Sequence, residues 1–131
     1  AAGFYNTLLE GDEPAIVIEC LNGYRLKEEL PINLGQFKTP IGIVETVKEG
    51  TDLTVVSYGS TLRIVEETAK DLLQVGIDIE IIDAQSLLPF DLNSDCVKSL
   101  AKTNKLLVID EDVPGGASAY ILQEILEKQN G

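Results

Sequence analysis

From Leu53 onward the sequence switches repeatedly between two periodicities, and that alternation limits the fold more than any other feature. Leu53–Tyr58 is an apolar run containing Val55-Val56 and reads as a strand. Gly59-Ser60 turns into a segment whose apolar residues Leu62, Val65, Ala69, Leu72 and Leu73 recur at spacings that share one helical face. Gly76 ends that helix in the manner of a left-handed C-terminal cap. Ile77–Ile82 reads as the next strand, and Pro89 and Asp91 lead into a helix over roughly 93–102 with Val97, Leu100 and Ala101 on one side. Leu106–Ile109 is a third strand, and Gly115-Gly116 opens a last helix that turns Ile121, Leu122, Ile125 and Leu126 to the core. Strand and helix in alternation imply right-handed crossovers and a parallel sheet.

The first forty residues have a different character. Residues 3–10 suit a short helix with Phe4, Tyr5 and Leu8 on one side, broken by Gly11-Asp12-Glu13-Pro14. Ala15–Ile18 reads as a buried strand. Asn22-Gly23, Pro31, Asn33, Gly35 and Pro40 punctuate residues 21–40, which reads as a linker with a helical turn at Arg25–Leu30. Ile41–Val47 alternates, with Ile41, Ile43, Glu45 and Val47 on one face, as an edge strand with one solvated side would.

Composition narrows the function. The 131 residues include no Met, as processing, tag removal or a deliberate cut would leave, and no His. Histidine triads and zinc–histidine centres are therefore excluded. With 22 acidic and 10 basic residues the net charge is −12, which disfavours a nucleic-acid backbone and favours a basic protein partner. Cys20 and Cys96 have no metal-like spacing and read as buried, reduced thiols of a cytoplasmic protein. No apolar run approaches the ~20 residues of a membrane helix, and no signal peptide opens the chain.

Ligands of open parallel sheets sit beyond the C-terminal ends of the strands. Three such places stand out. Ser57-Tyr58-Gly59-Ser60-Thr61 could bind phosphate at a helix N-terminus, or Ser60 or Thr61 could simply cap the helix. Asp110-Glu111-Asp112 could hold Mg²⁺ or act as in a receiver domain, with Asp83 on the preceding strand, or form a solvated patch for a basic partner. Val113-Pro114-Gly115-Gly116-Ala117-Ser118 could bind an anion or pack tightly against another subunit. No nucleophile has a base beside it in any visible arrangement.

Several of these stretches, in order, resemble the transketolase C-terminal domain family. They are Glu49-Gly50-Thr51-Asp52-Leu53-Thr54-Val55-Val56-Ser57-Tyr58-Gly59, then Gly76-Ile77 with Ile82-Asp83, then Leu88-Pro89-Phe90-Asp91, and finally Thr103-Asn104-Lys105-Leu106-Leu107-Val108-Ile109-Asp110-Glu111 with Gly115-Gly116. Ala15–Glu19 and Pro40-Ile41-Gly42 are similar to the end of a pyrimidine-binding domain and its exit. The variant most similar is the beta-type part of the thiamine-diphosphate-dependent 2-oxo acid dehydrogenases, of pyruvate or branched-chain type. Gln85 and Tyr120 stand where that family usually has Arg and Glu, so contacts through those two side chains do not carry over.

The resemblance implies a three-layer α/β/α fold, mostly parallel with one antiparallel edge strand, Ile41–Val47 being the natural candidate. It implies that residues 1–20 end a pyrimidine-binding domain, that 21–40 link it onward, and that 41–131 are a C-terminal domain lacking its last strand and helix. Thiamine diphosphate and Mg²⁺ would belong to the parent enzyme, with none bound by this piece, and Glu19 would not be the cofactor-activating glutamate. Gly59, Asp83, Pro89, Asp91, Asp110, Glu111, Gly115 and Gly116 would then be interface or structural residues. The implied partners are an alpha-type part, a second beta-type part and the basic subunit-binding domain of an acyltransferase core. A transketolase or deoxyxylulose-phosphate synthase is the neighbouring reading, and a free-standing acidic interaction or receiver-like domain is the reading without thiamine chemistry.

Overall fold

The computed structural model describes residues 1–27, 29 and 32–129, and the chain divides into two compact units, Ala1–Ile41 and Gly42–Gly131.

In the first unit, helix α1 (Ala2–Leu8) is fastened by side chains rather than by a core. Asn6 donates its amide to the carbonyls of Leu34 and Phe37 at 2.8 and 2.7 Å, and Thr7 Oγ1 donates to Thr39 O at 2.7 Å. Gly3 packs so closely on Thr39 and Phe37 that a Cβ there would collide with both. The segment expected as a buried strand, Ala15–Ile18, is neither buried nor in a sheet. Ile16 and Ile18 are 91% and 86% exposed. A strand is made by the ladder beside it, and among the described residues no segment offers one. The helical turn expected at Arg25–Leu30 falls earlier, as a 3-10 helix over Leu21–Arg25 closed by Leu26 N–H on Gly23 O. Glu28, Leu30 and Pro31 lie outside the described residues.

The second unit is a four-stranded mixed sheet with helices on both faces. Strands β1 (Glu45–Lys48), β2 (Leu53–Ser57), β3 (Ile79–Asp83) and β4 (Leu106–Ile109) lie in the order β1-β3-β2-β4. β2 runs parallel to β3 and to β4, while β1 pairs antiparallel with β3, Glu45 opposite Asp83. The alternation of side chains along each strand splits the core in two. Val55, Ile79 and Ile81 meet Val65 and Ala69 of α2 (Gly59–Gln74). Val56 and Ile82 face the other way, onto Cys96 and Leu100 of α3 (Asp95–Thr103) and Ile121 and Ile125 of α4 (Ala117–Lys128). Val55, Val56, Ile81 and Ile82 have essentially no exposure, and each such side chain stabilises the fold by roughly 1.5–3 kcal/mol.

The antiparallel edge strand expected from the resemblance is present, but it begins at Glu45 rather than Ile41. Gly42 takes a left-handed φ of 81°, and its backbone turns to the 86–92 loop instead of a neighbour strand. Its N–H donates to Ser86 Oγ at 2.7 Å and its carbonyl accepts from Leu92 N at 2.8 Å. The other strand ends shift by a residue or two: Tyr58 and Ile77 fall outside the ladders. Gly76 terminates α2 as expected, with φ 83° and two reverse bonds, Gly76 N–H to Leu73 O and Ile77 N–H to Leu72 O.

The buried face of α3 is rotated from the expected one. Ala101 is exposed, and the inward positions are Cys96, Ser99, Leu100 and Thr103. Two of those four are hydroxyls, and both bond the buried Thr54 of β2, Ser99 Oγ at 2.6 Å and Thr103 Oγ1 at 2.7 Å. Leu73 of α2 and Leu122 and Leu126 of α4 are likewise more exposed than their spacing suggested.

Candidate functional site

Because β3, β2 and β4 are parallel, their C-terminal ends share one edge of the sheet and bring Asp83, Tyr58-Gly59 and Asp110 to it. Asp110 is the hub. Its Oδ2 accepts from Tyr58 OH at 3.1 Å and from Ser118 N–H at 2.9 Å, and its Oδ1 accepts from Asp112 N–H at 3.4 Å. Asp112 in turn accepts from Val113 N–H at 2.7 Å and Ala117 N–H at 3.4 Å. Two carboxylates thus occupy the first turn of α4, where the helix offers unpaired N–H groups and the positive end of its dipole. A Cβ on Gly116 would displace the Asp112 carboxylate, and Gly115 holds φ 88°.

At the Gly115-Gly116 turn, the Ala117 and Ser118 N–H groups that an exogenous phosphate would meet already have Asp112 and Asp110 as acceptors. Partial burial works against the charge of Asp110, but the bonds from Ser118 and Tyr58 outweigh it and hold its carboxyl below the usual range. Burial first, then the Asp110 bond, pushes the Tyr58 phenol up to about 12, so it stays a donor across the physiological range. Neither expected cap of α2 forms: Tyr58 is the N-cap residue and makes no side-chain cap bond. Gly59, with φ 61°, lets the chain turn from β2 into that helix.

The remaining candidates disperse. Asp83 lies one strand away from the Tyr58–Asp110 pair, in register with Ser57 and opposite Glu45. Burial raises its pKa, Glu45 and Glu66 add to the rise, and a bond from Gln85 N–H opposes it. Asp91 is buried and caps α3, accepting from Asp95 N–H at 2.8 Å and Cys96 N–H at 2.9 Å. Lys128 Nζ of α4 closes this corner on the carbonyls of Phe90 and Asp91 at 2.9 and 2.7 Å. Pro89 and Glu111 are exposed. Among the described residues no group of three or more carboxylate or thiol side chains could hold a metal ion. Cys96 is buried and its thiol is pushed up by burial, then by Asp91.

Sequence reasoning missed one charged node. Glu80 is 3% exposed on β3, and its carboxylate takes the Gly50 N–H and an ion pair from Lys102 of α3. Lys102 also bonds Glu49 at 2.9 Å. Burial opposes the Glu80 charge, but Lys102 leads the bonds that outweigh it and hold the carboxyl low. The signal was a lone Glu within the apolar run Ile79-Glu80-Ile81-Ile82.

The model of the "Transketolase, C-terminal domain" family matches residues 42–130. The chain belongs to that family. It is 35% identical over 130 residues to the pyruvate dehydrogenase E1 component subunit beta of Acholeplasma laidlawii, covering 98% of this chain and 39% of that protein. It is 34% identical over 126 residues to the same-named subunit of Chlorokybus atmophyticus, covering 96% and 37%. The chain therefore spans less than two fifths of these relatives. A solved split-gene transketolase, an inactive beta4 tetramer, superposes with a TM-score of 0.64 at 27% identity, over 74% of this chain and 32% of that one. The fold is thus a transketolase C-terminal-like α/β domain related to subunits of enzymes. Among the described residues no helix is long and apolar enough to cross a membrane.

Proposed function

We propose that this chain is an assembly and docking domain of a thiamine-diphosphate-dependent 2-oxo acid dehydrogenase of pyruvate or branched-chain type, and that it performs no chemistry alone. The observation that carries the reading is the strand-end edge itself. Where an α/β enzyme would hold its ligand, Asp110 and Asp112 are bonded to the fold's own N–H groups. In this reading Gly59, Asp83, Asp110, Glu111, Gly115 and Gly116 shape a contact surface, while Pro89 and Asp91 shape the corner under α3. In this reading thiamine diphosphate and Mg²⁺ would be held by other parts of the parent; it is supported by the lack, among the described residues, of any group of three or more carboxylate or thiol side chains that could hold a metal ion. Residues 1–20 would be the tail of a pyrimidine-binding domain, which accords with an apolar Ala15–Ile18 that finds no ladder among the described residues, and 21–40 would be the linker. The place of action would be the cytoplasm.

The net charge of −12 makes a basic partner the natural one, namely the subunit-binding domain of an acyltransferase core. Calorimetric titration of the 131-residue chain with such a domain tests this. Binding should weaken steeply with added salt, and no binding even at low ionic strength would sink the docking role. The likeness to the split-gene transketolase favours a second reading, in which the parent moves two-carbon units between sugars. Turnover of pentose phosphates but not 2-oxo acids by the full-length parent would select it.

A further inference from the structure

Strand β1 is fastened unequally at its two ends. At its far end Lys48 Nζ donates to Asp78 Oδ1 at 2.6 Å, to Ile79 O at 2.9 Å and to Glu49 O at 3.0 Å. At its leading end the pairing with β3 begins on two acids, Glu45 directly opposite Asp83. Opposed residues of an antiparallel pair share one face with Cβ atoms about 5 Å apart, and like charges there are destabilising. A register shift between Thr46 and Lys48 separates the two ends, and among the described residues β1 has a ladder on one side only. The leading end can therefore part from β3 while the far end stays in place.

Gln85 bridges the two acids. It holds φ 57°, its backbone N–H donates to Asp83 Oδ1 at 3.2 Å, and its side-chain amide donates to Glu45 Oε2 at 2.6 Å. Each bond engages one oxygen of its carboxyl and leaves the second free to carry a proton. Glu66 of α2 adds a third negative charge, while Ser57 of β2, in register with Asp83, spends its hydroxyl on Ile109 O at 2.9 Å. Asp83 is half-buried and Glu45 is exposed, so the pair exchanges protons with solvent.

We infer that the leading end of β1 is a proton-operated clasp, closed on β3 while one proton is held between Glu45 and Asp83 and opened when both carboxyls are ionised. Burial first, then the charges of Glu45 and Glu66, make Asp83 the group that keeps the proton, against the opposing bond from Gln85 N–H. Its folded-state pKa lies above the unfolded one, so the clasp is fully closed below the ordinary Asp range and opens as pH rises through the raised value. The segment it releases is bounded. Gly42 stays tied to Ser86 Oγ and to Leu92 N–H, and Lys48 holds the other end. Between them lies Val44, 7% exposed in one core cluster with Ile82, so opening would uncover an apolar side chain and the outer edge of β3.

Amide hydrogen exchange of the 131-residue chain, read residue by residue between about pH 4 and about pH 7, is the test. After division by the intrinsic rate, exchange at residues 44–46 should rise at least about threefold with pH, while Val55 and Val56 of the central strand stay constant. Asp83→Asn should flatten the profile. Glu45→Gln should cut the rise by at least half, and because Glu45 is exposed that variant needs no repacking. Glu66→Gln should keep the rise and move its midpoint to lower pH. Exchange at 44–46 that follows the intrinsic rate alone would overturn the inference. So would a full rise surviving in both Asp83→Asn and Glu45→Gln, or an equal rise at Val55 and Val56, which would mean that the whole sheet loosens.

Discussion

Ile18 and Ile82 sit in similar words, Ala15-Ile16-Val17-Ile18-Glu19 and Ile79-Glu80-Ile81-Ile82-Asp83, yet one is exposed and the other has no exposure at all. The difference is not hydrophobicity. Ile82 lies on a strand with ladders to β1 and β2 on its two sides and a helix layer over it. Among the described residues, Ile18 has no ladder. An apolar run becomes a buried strand only where other segments satisfy its peptide groups. Accordingly, the Ala1–Ile41 unit is held by Asn6, Thr7 and a Lys38–Glu10 pair at 2.5 Å, whereas Gly42–Gly131 is held by two apolar clusters.

The strongest challenge to this contrast is a matched pair of truncations. Ile82→Ala should destabilise the second unit by about 2–5 kcal/mol, as expected for a fully packed aliphatic side chain. Ile18→Ala should change stability by no more than about 0.5 kcal/mol, as for a surface site. Urea denaturation of both variants makes the comparison, and equal losses would break it.

Next in size is Thr54→Val, nearly isosteric but unable to bond Ser99 and Thr103. It should cost about 1–2 kcal/mol by leaving buried hydroxyls short of a partner, read from the same denaturation midpoints. Gly76→Ala follows at about 1 kcal/mol, because φ there is positive although nothing crowds the site. The smallest effect has the opposite sign. Burial, with Glu45 and Glu66, raises the Asp83 pKa above its unfolded value, so the folded state holds that proton more tightly. The stability Asp83 contributes is fully present below the ordinary Asp range and is lost as pH rises through the raised folded value. Asp83→Asn should therefore raise the melting temperature at neutral pH, and the gain should vanish in acid. Thermal melts across pH would show it, and a gain independent of pH would point to another cause.

The second unit was legible because its strands and helices carry their own partners in sequence: the alternation from Leu53 to Ile109, the glycine stop at Gly76 and the opening at Gly115-Gly116 all appear in place. What misled was polarity taken as exposure. Ser99 and Thr103 occupy the inward face of α3, and Glu80 lies inside a strand, because each finds a bonded partner far away in sequence. Such partners have no local signature. The strand-end residues Asp110 and Gly116 were visible as candidates, but that Asp110 and Asp112 would spend their oxygens on the α4 backbone could be seen only once β2, β4 and α4 were brought together.

The Thr54–Ser99–Thr103 cluster has a mechanical consequence. A helix resting on an oily sheet can creep along it or roll, exchanging one greasy contact for another of similar worth. Directional bonds do not exchange that way. One threonine engaging hydroxyls a turn apart on α3 works like a key in a slot, fixing both the angle and the axial position of that helix.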